Sequence, residues 1–317
     1  MHLIRTTLSG LAVTALLLTA AGQPAEVSGS GRRAGQSLSI LHEGRWIRWW
    51  QSDRAPDTWT APHPAVNAAL AWRRVGDGVE WSELRLAGDG ISLRVRVIAV
   101  RIDPARVRLR LESSWTGSGR PDWSVERADD SALVSFNAGQ FSHGTPWGWV
   151  VSRGRQLQSP GRGPLSVGVA VDSSGSLRWI HPEQLTDHLN RRGVVEGFQS
   201  YPRLLDHGRV PEPLRLEGSG VDLRHRDARL ALGQGADGAI LVALTRYDGI
   251  GGVLDFVPFG LTTPEMAAVM GAIGARDAVM LDGGISSQLL IRDGAEVHRW
   301  RGLRGVPVGL VVTARKE

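Results

Sequence analysis

Residues 261–284 read LTTPEMAAVMGAIGARDAVMLDGG, and the change of period inside this stretch decides the class of fold. Thr262 is placed to cap a helix, Pro264 suits its first turn, and Glu265 completes a capping box with Thr262. Met266, Val269, Met270 and Ile273 follow at helical spacing, and Gly274 is a natural C-terminal stop. That spacing assigns the methionines to the core. Residues 277–281 then form an apolar run of strand length that ends in Asp282-Gly283-Gly284. One helix is thus followed by one buried strand, and the strand ends at a carboxylate.

Outward from here the chain reads as strand. In 91–102, Ile91, Leu93, Val95 and Val97 share one face, with Ser92, Arg94 and Arg96 on the other. Asp103-Pro104 breaks the run, and 106–111 turns Val107, Leu109 and Leu111 inward. This pattern predicts an antiparallel hairpin with one solvated face. Further strands are expected at 79–86, 133–136, 148–151, 167–171 and 306–313. An apolar pair at 228–233 and 239–244 is separated by a turn at Ala236-Asp237-Gly238. No long alternation of strands and helices supports a doubly wound sheet. The expected class is α+β, a strand-dominated mixed sheet domain with few helices. Eight of the twelve tryptophans fall between Trp46 and Trp123, and most are assigned to a β-rich core rather than to sugar stacking.

Composition narrows the chemistry. The chain has 317 residues, 42% of them hydrophobic, enough for a core without disulfide or metal staples. The absence of cysteine excludes disulfides, thiolate ligands and a cysteine nucleophile. The formal charge of +5 comes almost wholly from scattered arginine, Lys316 being the lone lysine, and no basic run points to nucleic acid. A charged start at Met1–Arg5, an apolar run over 8–21 and small residues after it predict a signal peptide at 1–21. A flexible linker at 22–40 and one domain at 41–317 are expected to follow. The expected location is bacterial, periplasmic or secreted, with no stable membrane insertion once the signal is cleaved.

The residues with chemical potential sit at strand ends. Asp282 follows a buried strand, and Gly283 and Gly284 let a ligand approach the main chain closely. Backbone N–H groups in such a turn can hold an anion, with Ser286 and Ser287 as added donors. Asn137 ends another short apolar strand, where its amide can meet a ligand. Arg229 opens an apolar strand, and its fork suits a phosphate as well as a salt bridge. Gln199 begins a polar patch before Pro202. The histidines show no recognised metal spacing, so neither metal nor cofactor is expected.

Taken in order, Asn137-Ala-Gly-Gln-Phe141, Gln199-Ser-Tyr-Pro202, Arg229-Leu-Ala-Leu-Gly233, Gly260-Leu-Thr-Thr-Pro-Glu265 and Leu281-Asp-Gly-Gly284 with Ser286 resemble the phosphodiester glycosidase family over about residues 90–313. The chain departs from that pattern at Ile285, where the family usually has a third glycine, and at Leu230, Ala138 and Gln140. The resemblance implies hydrolysis of a sugar joined through its anomeric carbon to a phosphodiester, with a carbohydrate phosphodiester as substrate. It implies Asp282 and Asn137 as catalytic residues. It also implies Arg229, Gly283, Gly284, Ser286 and Gln199 as substrate- or phosphate-binding residues. Asp227, Asp237, Asp248 and Glu265 are the candidates for a second carboxylate, with Glu265 better read as the helix cap. The alternative is a non-catalytic polysaccharide-binding protein of the same fold, which Ile285 favours.

Overall fold

The computed structural model describes residues 36–89, 94–115, 121–187, 191–216, 219, 221–249 and 255–315. The expected signal peptide and most of the expected linker lie outside these residues. The last residues of that linker stretch enter the fold, because the first strand spans Ser37–His42.

A nine-stranded sheet carries the molecule. Its main path runs Arg203–Leu205, Ala275–Met280, Leu230–Gly235, Ile240–Tyr247, Arg94–Ile102, Val79–Gly88, Ser37–His42 and Arg45–Gln51. Arg73–Gly76 pairs with Val79–Gly88 off this path. A five-stranded sheet contains Ala132–Asn137 between Leu289–Asp293 and Val308–Ala314. Another five-stranded sheet contains Val194–Ser200 between Val150–Ser152 and Val167–Asp172. The strand-dominated class expected from the sequence is what the chain adopts.

The centre of the large sheet is buried on both faces, because side chains alternate across it and each face meets a core. Ile98, Val100, Ile102, Val242, Leu244 and Val279 pack into one core. Val95, Val97, Ala243, Ala278 and Met280 pack into the other, together with Met266 and Met270. Continuous apolar runs such as 278–281 follow from this two-sided burial. The helix Thr263–Ala272 covers the second face and is itself buried. Its start is the expected capping box: Thr262 Oγ1 accepts from the Glu265 N–H at 3.3 Å, and Glu265 Oε2 accepts from the Thr262 N–H at 2.9 Å. Gly274 follows with a φ of +106°, a conformation that favours glycine.

One expectation is corrected. The strands on either side of Asp103-Pro104 do not pair with each other. Arg94–Ile102 pairs with Val79–Gly88 and Ile240–Tyr247, whereas Val107–Ser113 pairs with Val308–Ala314 in a different sheet. The break is a crossing between sheets. Local alternation reports which face of a strand is apolar, but not which strand lies beside it. The hairpin of 228–244 does form, with Leu230 opposite Leu244 and Gln234 opposite Ile240. Trp49, Trp50, Trp59, Trp81 and Trp123 are buried, in keeping with a core role, while Trp46 is exposed.

Candidate active site

The turn after Ala275–Met280 is held from several sides. The Leu281 N–H donates to Leu230 O at 2.8 Å, Asp282 N–H to Gly139 O at 2.9 Å, and Gly284 N–H to Ala228 O at 2.8 Å. Asn137 lies at the end of its strand and is buried. Its Nδ2 donates to Asp282 O at 2.9 Å, and its Oδ1 accepts from the Gln288 N–H at 3.0 Å. Asn137 therefore grips both ends of the 282–288 segment.

Glycine is required at both following positions. A Cβ on Gly283 would stand 2.6 Å from Ala228 O. Gly284 has a φ of +56°, and a Cβ there would stand 2.9 Å from Asp227 Oδ2. The second figure also locates Asp227, whose carboxyl lies against the turn. The anion nest expected of the turn is largely absent. The N–H groups of Asp282, Gly284, Ser286 and Ser287 all donate to backbone carbonyls.

The turn borders an open cavity of about 550 Å³ lined by Asp227, Arg229, Asp282, Gly283, Gly284 and Arg304. Tyr201, Pro258 and Ile285 also border it. Asp282 Oδ2 is buried with no hydrogen bond among the described residues, and Arg304 Nη2 is 3.6 Å away, an ion-pair distance beyond hydrogen-bond reach. Burial pushes the Asp282 carboxyl above the usual carboxylate range; Ser286 and Arg304 pull it back, and the charge of Asp227 adds to the rise. Burial also raises Asp227, against the pull of Arg229, the Ala228 N–H and His225. Two carboxyl groups with raised pKa values in one cavity are an arrangement suited to acid–base work.

Arg229 sits one residue before its strand. Its Nε donates to Leu261 O at 2.8 Å and its Nη2 to His225 O at 2.6 Å. These bonds hold the guanidinium at the cavity wall and leave Nη1 outside them. Burial lowers its pKa, opposed by Asp227, Glu265 and Asp222.

Ser286 is fully buried and accepts from Arg304 Nε at 2.8 Å, so it braces Arg304 instead of facing solvent. Gln199 lies outside the cavity lining. Its Oε1 accepts from the N–H groups of Trp149 at 3.1 Å and Gly161 at 2.8 Å, and its Nε2 donates to Gly161 O at 3.0 Å. It ties a loop to Val194–Ser200. Of the candidates for a second carboxylate, Asp227 alone lines the cavity. Asp237 pairs with Arg101 at 2.5 Å, Asp248 lies 3.5 Å from Arg96, and Glu265 is the helix cap and a bidentate partner of Arg226.

Three participants had no assignment from the sequence. Arg304 lies in a loop between Gly302 and Gly305, where no periodicity marks it. His225 is exposed, with Nε2 3.7 Å from Asp227 Oδ2. Arg246 is buried behind the turn, donating from Nη1 to Ser287 Oγ and from Nη2 to Ser287 O, both at 2.7 Å. Burial lowers its pKa to about 10, so it stays charged at neutral pH. A charged residue closing the apolar run 239–245 was the available signal.

An open cavity lined by two carboxyls and two guanidiniums brings acid–base groups together with cations that can hold an anion. The chain belongs to the phosphodiester glycosidase family, whose model matches residues 130–313, more than half of the 317. The fold is similar to the catalytic domain of zebrafish N-acetylglucosamine-1-phosphodiester alpha-N-acetylglucosaminidase auto-inhibited by its pro-peptide. That match has a TM-score of 0.54 at 18% identity and covers 78% of this chain and 84% of that one. It is also similar to a hypothetical protein from Synechocystis, with a TM-score of 0.53 at 16% identity over 89% of this chain and 68% of that one. No curated protein sequence matches the chain. The family match begins at residue 130, so the strands before it, from Ser37–His42 to Val107–Ser113, lie outside the matched segment.

Proposed function

We propose that this chain is an exported hydrolase that releases a sugar from a glycosyl phosphodiester, in envelope or extracellular polysaccharide metabolism. The observation that carries the reading is Asp282 Oδ2, a buried carboxylate oxygen without a hydrogen bond among the described residues, at a cavity that Arg229 and Arg304 also line. The guanidiniums suit the phosphate, and Asp282 suits the anomeric carbon. A phosphate is already a good leaving group, so the demand falls on a base or nucleophile more than on an acid. Export rests on the charged, apolar and small-residue order of 1–21. No helix among the described residues is long and apolar enough to cross a membrane.

Turnover of a chromogenic sugar phosphodiester by the full chain, compared with the matching plain glycoside, tests the reading. Hydrolysis of the phosphodiester well above that of the glycoside is expected. Tight binding without any turnover would instead identify a polysaccharide-binding protein.

A further inference from the structure

The cavity contains more titratable charge than one catalytic carboxylate needs. We propose that Asp227 is the second carboxylate of this site, and that Asp227 and Asp282 together hold one proton when the cavity receives a singly charged phosphodiester. The identity of the ligand rests on the reading above; the pairing of the two carboxyls does not.

The geometry comes first. The Asp227 oxygens lie 2.9 and 3.1 Å from where a Gly284 Cβ would stand, so this carboxyl is pressed against the main chain two residues beyond Asp282. Both carboxyls line the same cavity. The Asp227 main chain is fixed to the residue before the helix cap, its N–H donating to Leu261 O at 3.2 Å.

The charges facing the pair can then be counted. Arg229 acts on Asp227, and Arg304 stands 3.6 Å from Asp282. His225 approaches Asp227 from the exposed side, and Asp222 acts on Arg229 from outside. Arg226, next to Asp227 in the chain, is already occupied by both oxygens of Glu265. With His225 neutral, the cavity has two carboxylates and two guanidiniums, a net charge of zero. An anion entering a partly desolvated, neutral site is left without a counter-charge. One proton on the carboxyl pair makes the site +1 and matches a phosphodiester monoanion.

Two further observations agree. Burial raises both carboxyls, and the charge of Asp227 raises Asp282 further, so once one carboxyl is ionised the last proton is hard to remove from the pair as a unit. Asp282 Oδ2 is buried with no hydrogen bond among the described residues, and a proton on this carboxyl removes the cost of an unpaired buried charge.

A carboxyl ¹³C NMR titration of the full chain, wild type against Asp227→Asn, tests the pairing. Two coupled steps are expected, and the Asp282 midpoint should fall in the variant because a like charge has gone. An unmoved Asp282 midpoint overturns the proposal. Should Asp227→Asn not fold, Asp282→Asn read at Asp227 gives the reciprocal test.

Calorimetry with dimethyl phosphate tests the purpose of the proton, since this probe keeps a single charge and any pH dependence belongs to the protein. Above the upper step, wild-type affinity should fall about tenfold per pH unit, as linkage to one proton requires. In Asp227→Asn that slope should flatten, because the cavity is +1 without a proton. An equal slope in both proteins overturns the proposal. Coupled titration with no dimethyl phosphate binding at any pH would overturn the phosphodiester reading and the proton's purpose, leaving the carboxyl pairing supported by the titration alone.

Discussion

Asp277 and Asp282 belong to one segment of chain, five residues apart, and their surroundings are opposite. Asp277 Oδ1 accepts from Arg203 Nη2 at 2.7 Å and from the His207 N–H at 3.2 Å. Arg203 also lies 2.7 Å from Asp206, so its buried charge is shared between two acids. Asp206, His207 and Asp277 bring their ligand atoms within 4.8 Å of one another, but Arg203 already stands beside this group as its cation. Asp282 has a bare Oδ2 and an arginine held off at 3.6 Å. A buried acid bonded to a guanidinium and a backbone N–H joins elements together. An unsaturated one at a cavity has bonding capacity left for a substrate, at a cost in stability.

The largest expected effect tests that contrast at Asp282. Asp282→Asn should lower turnover about 10²- to 10⁴-fold, the range for removing an acid–base group. Its melting temperature at neutral pH should be equal to or above wild type, because the charge removed is a poorly solvated one. The sign follows from the raised pKa. The folded state holds the proton more tightly than the unfolded chain, so the stabilising contribution is fully present below the ordinary carboxylate value and is lost as pH rises through the folded value. Wild type should therefore gain stability relative to Asp282→Asn on acidification through that window. Paired thermal melts across pH would read this, and a variant that melts lower at neutral pH with normal turnover would reverse the assignment.

At the other acid the effect should fall on folding. Arg203→Ala leaves Asp277 and Asp206 without their shared partner. A loss of about 3–5 kcal/mol in denaturant unfolding is expected, the usual scale for breaking a buried ion pair. Turnover per folded molecule should stay near wild type. Lost turnover with intact stability would remove the distinction between the two sites.

Much of this contrast was legible in the sequence, but unevenly. The helix at 263–272 was visible because Thr262, Pro264, Glu265 and Gly274 act locally, through caps and backbone conformation. The strand–turn at 277–284 was visible because an apolar run followed by two glycines constrains the backbone. Asn137 and Gln199 were legible as polar residues at strand ends, but an amide looks the same in sequence whether it faces a ligand or a backbone. In the fold both turn to backbone, Asn137 gripping the active turn and Gln199 a neighbouring loop. Asp227 could not be singled out from three other acids, since only tertiary packing puts it against Gly284. The sheet crossing at Asp103 was hidden for the same reason, partner choice being a non-local property.

Arg229→Lys comes next in size. Its Nε and Nη2 are tied to backbone carbonyls, and a lysine cannot make both bonds while also offering a third direction to a phosphate. Losing hydrogen bonds to a charged group costs about 1.5–3 kcal/mol. Roughly 10- to 100-fold in kcat/KM on phosphodiesters is expected, with a smaller loss on plain glycosides. Equal losses on both would place Arg229 with Arg203 as a structural cation.

The smallest effect is expected at Ile285, and it concerns which group leaves the cavity. Ile285 follows the two glycines, is 42% exposed, and borders the cavity beside Asp282. Its carbonyl accepts from the Leu303 N–H at 2.7 Å, which sets a second exposed apolar side chain next to it, Leu303 at 60%. An isoleucine here adds apolar surface at the mouth, where a glycine would add none. Such surface stabilises only what it covers, so it favours an apolar group beyond the phosphate over a polar one. Ile285→Ala removes a few methyl and methylene groups at a site that is only partly enclosed. At about 0.8 kcal/mol per CH₂ fully buried, a partial contact is worth about 1 kcal/mol, or roughly fivefold in kcat/KM. The expected outcome is a fivefold loss on a phosphodiester with an octyl group and little change on one with a glyceryl group, with kcat held on both. A uniform loss on the two substrates would show that Ile285 acts on the Asp282 turn itself, through the main chain it shares with Gly284.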